Sequence, residues 1–257
     1  MNTFDYEDKK RREQEWYEER PEEKTGFMRK LFHHRLIYDP ERNSFNYVFP
    51  KKQMVEVLQK NRRSRTGSLL IAPCGRGKDY DYLSPYADRI YGIDVSPIAV
   101  KSCPAAMEVT VGDILASGYP GGMFDVIASP LFFHHLGRIG FDPFLQAFFR
   151  MLKSGGSIVI LEPSLWYPMN AVTRPVKRIF GNPYDEVEDE GPFSPHSMLR
   201  ALRRCGYVNI RCQAASFSHN SFYVPVAKIV NRLTQPFLNV APLKYFGWMV
   251  VYYAEKP

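Results

Sequence analysis

At 257 residues, 45% hydrophobic and 14% aromatic, the chain can bury a sizeable core as one large domain, or as one domain with an appendage. Charged residues make up an ordinary 24%, which excludes wholesale disorder, while the net charge of +7 keeps an anionic partner in view. No apolar run approaches membrane-spanning length, and the opening stretch MNTFDYEDKKRREQEWYEER is too charged for a signal peptide. Cys74, Cys103, Cys205 and Cys212 form no CxxC pair and no zinc-finger spacing, so a reduced, cytoplasmic protein without a metal site is expected.

In chain order, residues 5–20 predict a charged helix stopped by Pro21, either a lid over an active site or a solvated terminal helix. A second helix is predicted from Pro50 to Asn61, with Met54, Val55 and Leu58 on one face. Residues 1–65 thus form an N-terminal helical extension to a domain spanning 66–257. Short apolar runs then alternate with helical stretches: Ser68–Ala72, Ile90–Ile93, Glu108–Val111, Phe124–Ala128 and Ser157–Leu161. Such runs look like strands buried on both faces, and the alternation predicts an α/β domain with a parallel sheet and helices on both faces. Phe141–Leu152 predicts a helix closed by Lys153, Ser154, Gly155 and Gly156.

Residues 163–193 break the rhythm with five prolines and the acidic cluster Asp185, Glu186, Glu188, Asp189 and Glu190, and read as a functional insertion. Ser194-Pro195 predicts the start of a helix, with serine as cap, and Gly206 its end. Strands are expected at Tyr207–Ala214 and Phe246–Ala254, separated by an apolar, basic segment at 222–245. Beyond Glu190 the only carboxylate side chain is Glu255, against many arginines and lysines, which suggests a membrane surface, RNA or an acidic substrate as partner, or simply a solvated face.

The chemistry concentrates where the first run meets Pro73-Cys74-Gly75-Arg76-Gly77-Lys78-Asp79. Glycines at a strand-to-helix turn let the backbone approach a ligand closely. The next run ends in Asp94, nineteen residues after Gly75, where a carboxylate can accept both hydroxyls of a ribose. Dinucleotide enzymes share this logic but carry a third glycine beside the pyrophosphate, where this chain has Tyr80. The third run ends Val111-Gly112-Asp113-Ile114-Leu115, so that Asp113 could accept from an exocyclic amine while Ile114 covers a base.

The ordered segments APCGRGKD, YGIDVS, VGDIL, FDVIASPLFFHHL and FFRMLKSGGSIVILEP resemble the class I S-adenosylmethionine (SAM)-dependent methyltransferases, nearest to the small-molecule branch that includes ubiquinone- and menaquinone-biosynthesis enzymes. The resemblance covers about 66–163 well and extends more weakly to 257. It implies a Rossmann-like, seven-stranded, mostly parallel sheet whose antiparallel last strand enters between the fifth and sixth. It implies SAM as cofactor, with Ala72, Pro73, Cys74, Gly75 and Gly77 facing its methionine part and Asp94 holding the ribose. Val95, Asp113 and Ile114 would then lie about the adenine, and Ser129 and Pro130 near the transferable methyl. The chain departs from the pattern at Ile71, where an acidic residue is usual, and at Pro73, where a glycine is.

His134 and His135 follow the fourth run, where either could take a proton from an acceptor. Trp166 and Tyr167 could line an apolar acceptor pocket or pack the insertion onto the sheet. Cys74 sits where thiols are sometimes acidified, but its place is that of a small turn residue. The expected function is methyl transfer from SAM to a small-molecule or lipid-like acceptor, with peripheral membrane contact through the basic C-terminal region. The other readings are a non-catalytic scaffold on the same fold, motivated by Ile71 and Pro73, and an RNA methyltransferase. Against the latter, there is no separate RNA-binding module and no Asn-Pro-Pro-aromatic stretch at Ser129-Pro130-Leu131-Phe132.

Overall fold

The apolar runs become strands because helices cover both faces of the sheet, so burial rewards every residue along them. A computed structural model of the chain describes residues 3–18, 40–62, 65–171, 190–220 and 222–257. Among the described residues, two helices, α1 (Thr3–Glu18) and α2 (Pro40–Asn61), precede β1 (Thr66–Ile71). There follow α3 (Tyr80–Leu83), β2 (Ala87–Asp94), α4 (Pro97–Lys101), β3 (Glu108–Val111), β4 (Phe124–Pro130), α5 (Asp142–Met151) and β5 (Leu152–Pro163). The chain closes with α6 (Pro195–Arg204), β6 (Val208–Ser216), α7 (Val224–Thr234) and β7 (Met249–Glu255).

The seven strands form one sheet in the order β3-β2-β1-β4-β5-β7-β6, with β7 antiparallel to both its neighbours and the other pairs parallel. This is the Rossmann-like sheet that the motif order implied. Alternate residues of the central strands feed two cores. Leu70, Ile127, Ile158 and Tyr252 face one side, with Phe148 of α5 and Leu202 of α6. Leu69, Ile71, Val126, Val159 and Tyr253 face the other, with Met54 and Leu58 of α2. Ile71 is fully buried there, so the strand end that carries an acidic residue in the resembling proteins is committed to packing.

Three local expectations shift. Helix α2 begins at Pro40 and runs through Pro50, whose ring removes one backbone hydrogen bond. Tertiary contacts carry it across that gap: Asn46 donates to the Phe222 carbonyl (3.1 Å) and accepts from the Ser218 hydroxyl (2.6 Å). Strand β5 begins directly after α5, so Lys153–Gly156 belongs to the strand and is not a helix cap. Leu152 pairs with Phe124, and the register shift before Val126↔Ser157 absorbs the surplus residues in a bulge. Ser194 occupies the cap position of α6 without making a side-chain cap bond; its carbonyl instead accepts from Ser197 Oγ at 2.6 Å. Pro21 and residues 172–189 of the expected insertion lie outside the described residues.

Strand order reverses between β1 and β4. In such sheets the loops leaving those strands diverge, opening a crevice at the carboxyl edge.

Candidate functional site

A cavity of about 470 Å³ fills that crevice, in the range that takes a ligand the size of a nucleoside with a side arm. Its floor is Pro73, Cys74 and Gly75 after β1, Asp94 and Val95 after β2, Gly112 and Ile114 after β3, and Pro130–Phe132 with His135 after β4. Tyr6, Lys9, Lys10 and Glu13 of α1 and Lys51 of α2 complete the wall.

The turn after β1 is tight because its glycines allow it. Gly77 has φ +71°, and a Cβ there would lie 2.5 Å from Pro104 Cδ, so only glycine fits. The Ala72–Pro73 peptide is cis, and Cys74 N–H donates to the Ile93 carbonyl at 2.9 Å, joining the turn to β2. Asp94 completes the link: Oδ2 accepts from Gly75 N–H (2.8 Å) and Oδ1 from Ser96 N–H (3.0 Å). A carboxylate offers about four acceptor positions, so capacity remains on both oxygens for a sugar diol. Burial pushes the Asp94 carboxyl up from the usual range, and the N–H groups of Ser96 and Gly75 pull it back. Burial also pushes the Cys74 thiol up, away from the acidified range of reactive cysteines. Ala72 and Gly77 are buried in the turn and do not line the cavity.

At the β2–β3 rim, Val95, Gly112 and Ile114 line the cavity, but Asp113 does not. Its Oδ1 accepts from Leu115 N–H (2.9 Å) and from the Tyr6 hydroxyl (2.5 Å), and its Oδ2 from the Lys10 ammonium (3.0 Å). Gln14 of the same helix donates to the Val95 carbonyl at 2.8 Å. Helix α1 therefore lies across the rim, and an exocyclic amine reaching Asp113 must share or displace donors from α1. Tyr6 and Lys10 were not legible as site residues, since their partners are 107 and 103 residues away.

At the end of β4, Ser129 is fully buried, its hydroxyl without a hydrogen-bond partner, and it stays outside the cavity that Pro130 lines. The next turn is organised by Glu162, a carboxylate with no exposed surface. Glu162 accepts from the backbone N–H of Phe132 (2.7 Å), Phe133 (2.6 Å) and His134 (3.3 Å), and lies 2.8 Å from His134 Nδ1. His134 is thereby turned from the cavity into a structural pair. Sequence reasoning missed Glu162, although a lone charge in a strand buried on both faces is itself a signal.

His135 does line the cavity. Its Nδ1 lies 3.2 Å from Glu190 and 3.4 Å from Glu13, and Lys9 lies 2.9 Å from Glu190. Burial pushes the His135 pKa down, but the Glu190 hydrogen bond and the charges of Glu13 and Glu190 outweigh it and hold the imidazole above its usual value. Burial pushes Glu190 up, and His135 and Lys9 overcome this to bring it to about 2. Glu13 and Glu190 thus bear directly on the proton-accepting role expected of His135. The three side chains His135, Glu13 and Glu190 bring ligand atoms within 4.8 Å of one another, but the Lys9 ammonium already supplies a cation there.

Trp166 and Tyr167 do not line this cavity. Trp166 packs against His196, Tyr245 and Phe246, and Tyr167 is buried, donating to the Phe217 carbonyl at 3.1 Å. They tie the start of the insertion to the segment before β7.

Residues 70–160 match the family described as methyltransferase domain. The fold is similar to that of a SAM-dependent methyltransferase from Thermotoga maritima, described as a possible histamine N-methyltransferase, at 15% identity and TM-score 0.63 over 90% of this chain and 96% of that one. A SAM-dependent methyltransferase from Archaeoglobus fulgidus is similar at 16% identity and TM-score 0.56, over 88% of this chain and 99% of that one. Phosphoethanolamine N-methyltransferase 2 of Haemonchus contortus, solved with phosphomonomethylethanolamine and S-adenosylhomocysteine, is similar at 15% identity and TM-score 0.54, over 90% of this chain and 60% of that one. At these identities the likeness is one of fold. No curated protein matches the chain.

Proposed function

We propose, from a chain whose residues 70–160 match the methyltransferase-domain family and whose fold is similar to that of SAM-dependent methyltransferases, that it transfers the methyl group of SAM to a small-molecule or lipid-like acceptor. The observation that carries this reading is the Asp94 carboxylate, fixed by two backbone donors yet still facing a nucleoside-sized cavity at the sheet's switch point. SAM would supply an activated methyl on a sulfonium. Asp94 would hold the ribose, the turn from Pro73 to Gly75 would abut the thioether arm, and Val95 and Ile114 would flank the base. The chain's further contribution is to hold acceptor and methyl in line and to keep water out, the latter through α1 across the rim.

Peripheral contact with a lipid surface is supported by α7. Its apolar residues face outward: Ile229 is 59% and Leu233 66% exposed, with Val226 and Phe237 also exposed, while Ala227 and Asn231 face the protein. Lys228 and Arg232 flank this stripe, and no carboxylate side chain occurs between Glu190 and Glu255. An exposed apolar stripe beside cations suits an anionic bilayer surface, and we read the protein as a cytoplasmic one that binds such a surface peripherally.

Titration calorimetry with S-adenosylhomocysteine tests the central reading. Saturable binding supports it, and no heat at millimolar ligand returns the scaffold alternative.

A further inference from the structure

We infer that the ion pair between Lys51 and Asp79 receives the zwitterionic amino-acid arm of the cofactor, Lys51 taking its carboxylate and Asp79 its ammonium; the inference rests on the SAM reading above. The arm carries opposite charges on one carbon, so its receptor needs opposite charges side by side. The end of β1 cannot provide one of them, because Ile71 is fully buried in the core and Pro73 has no N–H to donate. Most other charged groups lining the cavity are engaged elsewhere. Lys10 is on Asp113, Lys9 on Glu190, Glu13 beside His135, and Asp94 on Gly75 and Ser96. Arg76 and Lys78 also line the cavity, but both are exposed.

Lys51 and Asp79 both line the cavity, on the side of the glycine turn rather than the base rim. Their side chains are only 12% and 13% exposed, and Nζ lies 2.7 Å from Oδ1. That oxygen is buried without a well-directed hydrogen-bond donor, because Lys51 meets it off the bonding direction. A partly desolvated ion pair is costly unless further hydrogen bonds complete it. A zwitterion completes this one, since its ammonium brings donors to Asp79 and its carboxylate brings acceptors to Lys51. The pair thus replaces, from α2 and the far side of the turn, the carboxylate that β1 lacks.

Calorimetry on the full chain with two ligands tests this: S-adenosylhomocysteine, and 5′-methylthioadenosine, which has the same nucleoside thioether but no amino-acid arm. Lys51→Met should weaken S-adenosylhomocysteine by about tenfold or more and change 5′-methylthioadenosine by less than about twofold, as loss of a charge-assisted contact requires. Asp79→Asn carries the same expectation and serves should Lys51→Met not fold. Unchanged affinity for S-adenosylhomocysteine overturns the assignment, and so does an equal loss for both ligands, which would make the pair structural. If the wild-type chain binds neither ligand, the SAM reading fails first and takes this inference with it.

Discussion

Replacing Glu162 by alanine is the most demanding test of how the cavity wall beyond β4 is held. Glu162 is fully buried, and its oxygens accept from Phe132 and Phe133 N–H at 2.7 and 2.6 Å and lie 2.8 Å from His134 Nδ1. A buried donor left without its acceptor costs roughly 1–3 kcal/mol. Two well-formed backbone bonds and the imidazole together set an expected loss of about 3–5 kcal/mol, reduced from the sum because water enters part of the space. For a domain of this size, that lowers the melting temperature by roughly 6–20 °C. Glu162→Gln keeps one acceptor oxygen but turns an amide N–H₂ toward donors, so it should fall between wild type and alanine. Urea denaturation of the three proteins, followed by circular dichroism, reads the differences. A loss below about 1 kcal/mol for the alanine variant would refute the reasoning, because it would mean that these N–H groups reach water without the carboxylate.

Asp94→Ala should weaken S-adenosylhomocysteine by about a hundredfold through lost charge-assisted bonds, and cost about 2–4 kcal/mol of stability because Gly75 and Ser96 N–H lose their acceptor. Calorimetry on the folded fraction, beside a denaturation curve, separates the two effects; unchanged affinity would count against the site drawn here. Gly92→Ala should cost about 1–3 kcal/mol and weaken the same ligand, since its Cβ would lie 2.4 Å from Met107 Cε and 3.0 Å from Cys74 Sγ, and Cys74 must shift. A fully stable variant with wild-type affinity would show that Met107 alone gives way. The His135–Glu190 pair predicts a pH signature. The raised His135 pKa adds stability that is complete below the ordinary value of about 6.5 and fades as pH climbs through the raised one. Glu190, lowered to about 2, adds stability above the ordinary carboxylate range that is lost as pH falls toward that value. Wild type should therefore exceed His135→Asn in stability most at about pH 5–6.5, with the gap narrowing in alkaline solution; a gap that widens there would refute the assignment.

The sheet was legible because its strands are short apolar runs whose composition is set by burial on both faces, and β3 was bounded to the residue. The turn at Pro73–Gly77 and the carboxylate at Asp94 were legible because glycine and a terminal acid have few other reasons to stand at those strand ends. What escaped reading depends on partners distant in the chain. Pro50 reads as a helix start, and only the Asn46 contacts with 218 and 222 show why the helix passes through it. Gly155-Gly156 reads as a stop, yet the chain bulges there, with Gly155 at φ +72°, between the β4 pairings of Leu152 and Ser157. Asp113 reads as a free acceptor, and its two oxygens are taken by a helix more than a hundred residues earlier in the chain. His134 and His135 read alike in sequence; one is locked onto Glu162 and the other faces the cavity, a difference set by β5.

Helix α1 has a consequence for how the molecule is assembled. Its sequence, TFDYEDKKRREQEWYE, has almost no apolar stripe, so by itself it has little reason to coil. What steadies it is a set of anchor points on the loops of the finished domain: Asp113, the Val95 carbonyl and Glu190. The roof over the crevice therefore depends on the loops beneath it, and a change that displaced those loops would loosen the helix as well.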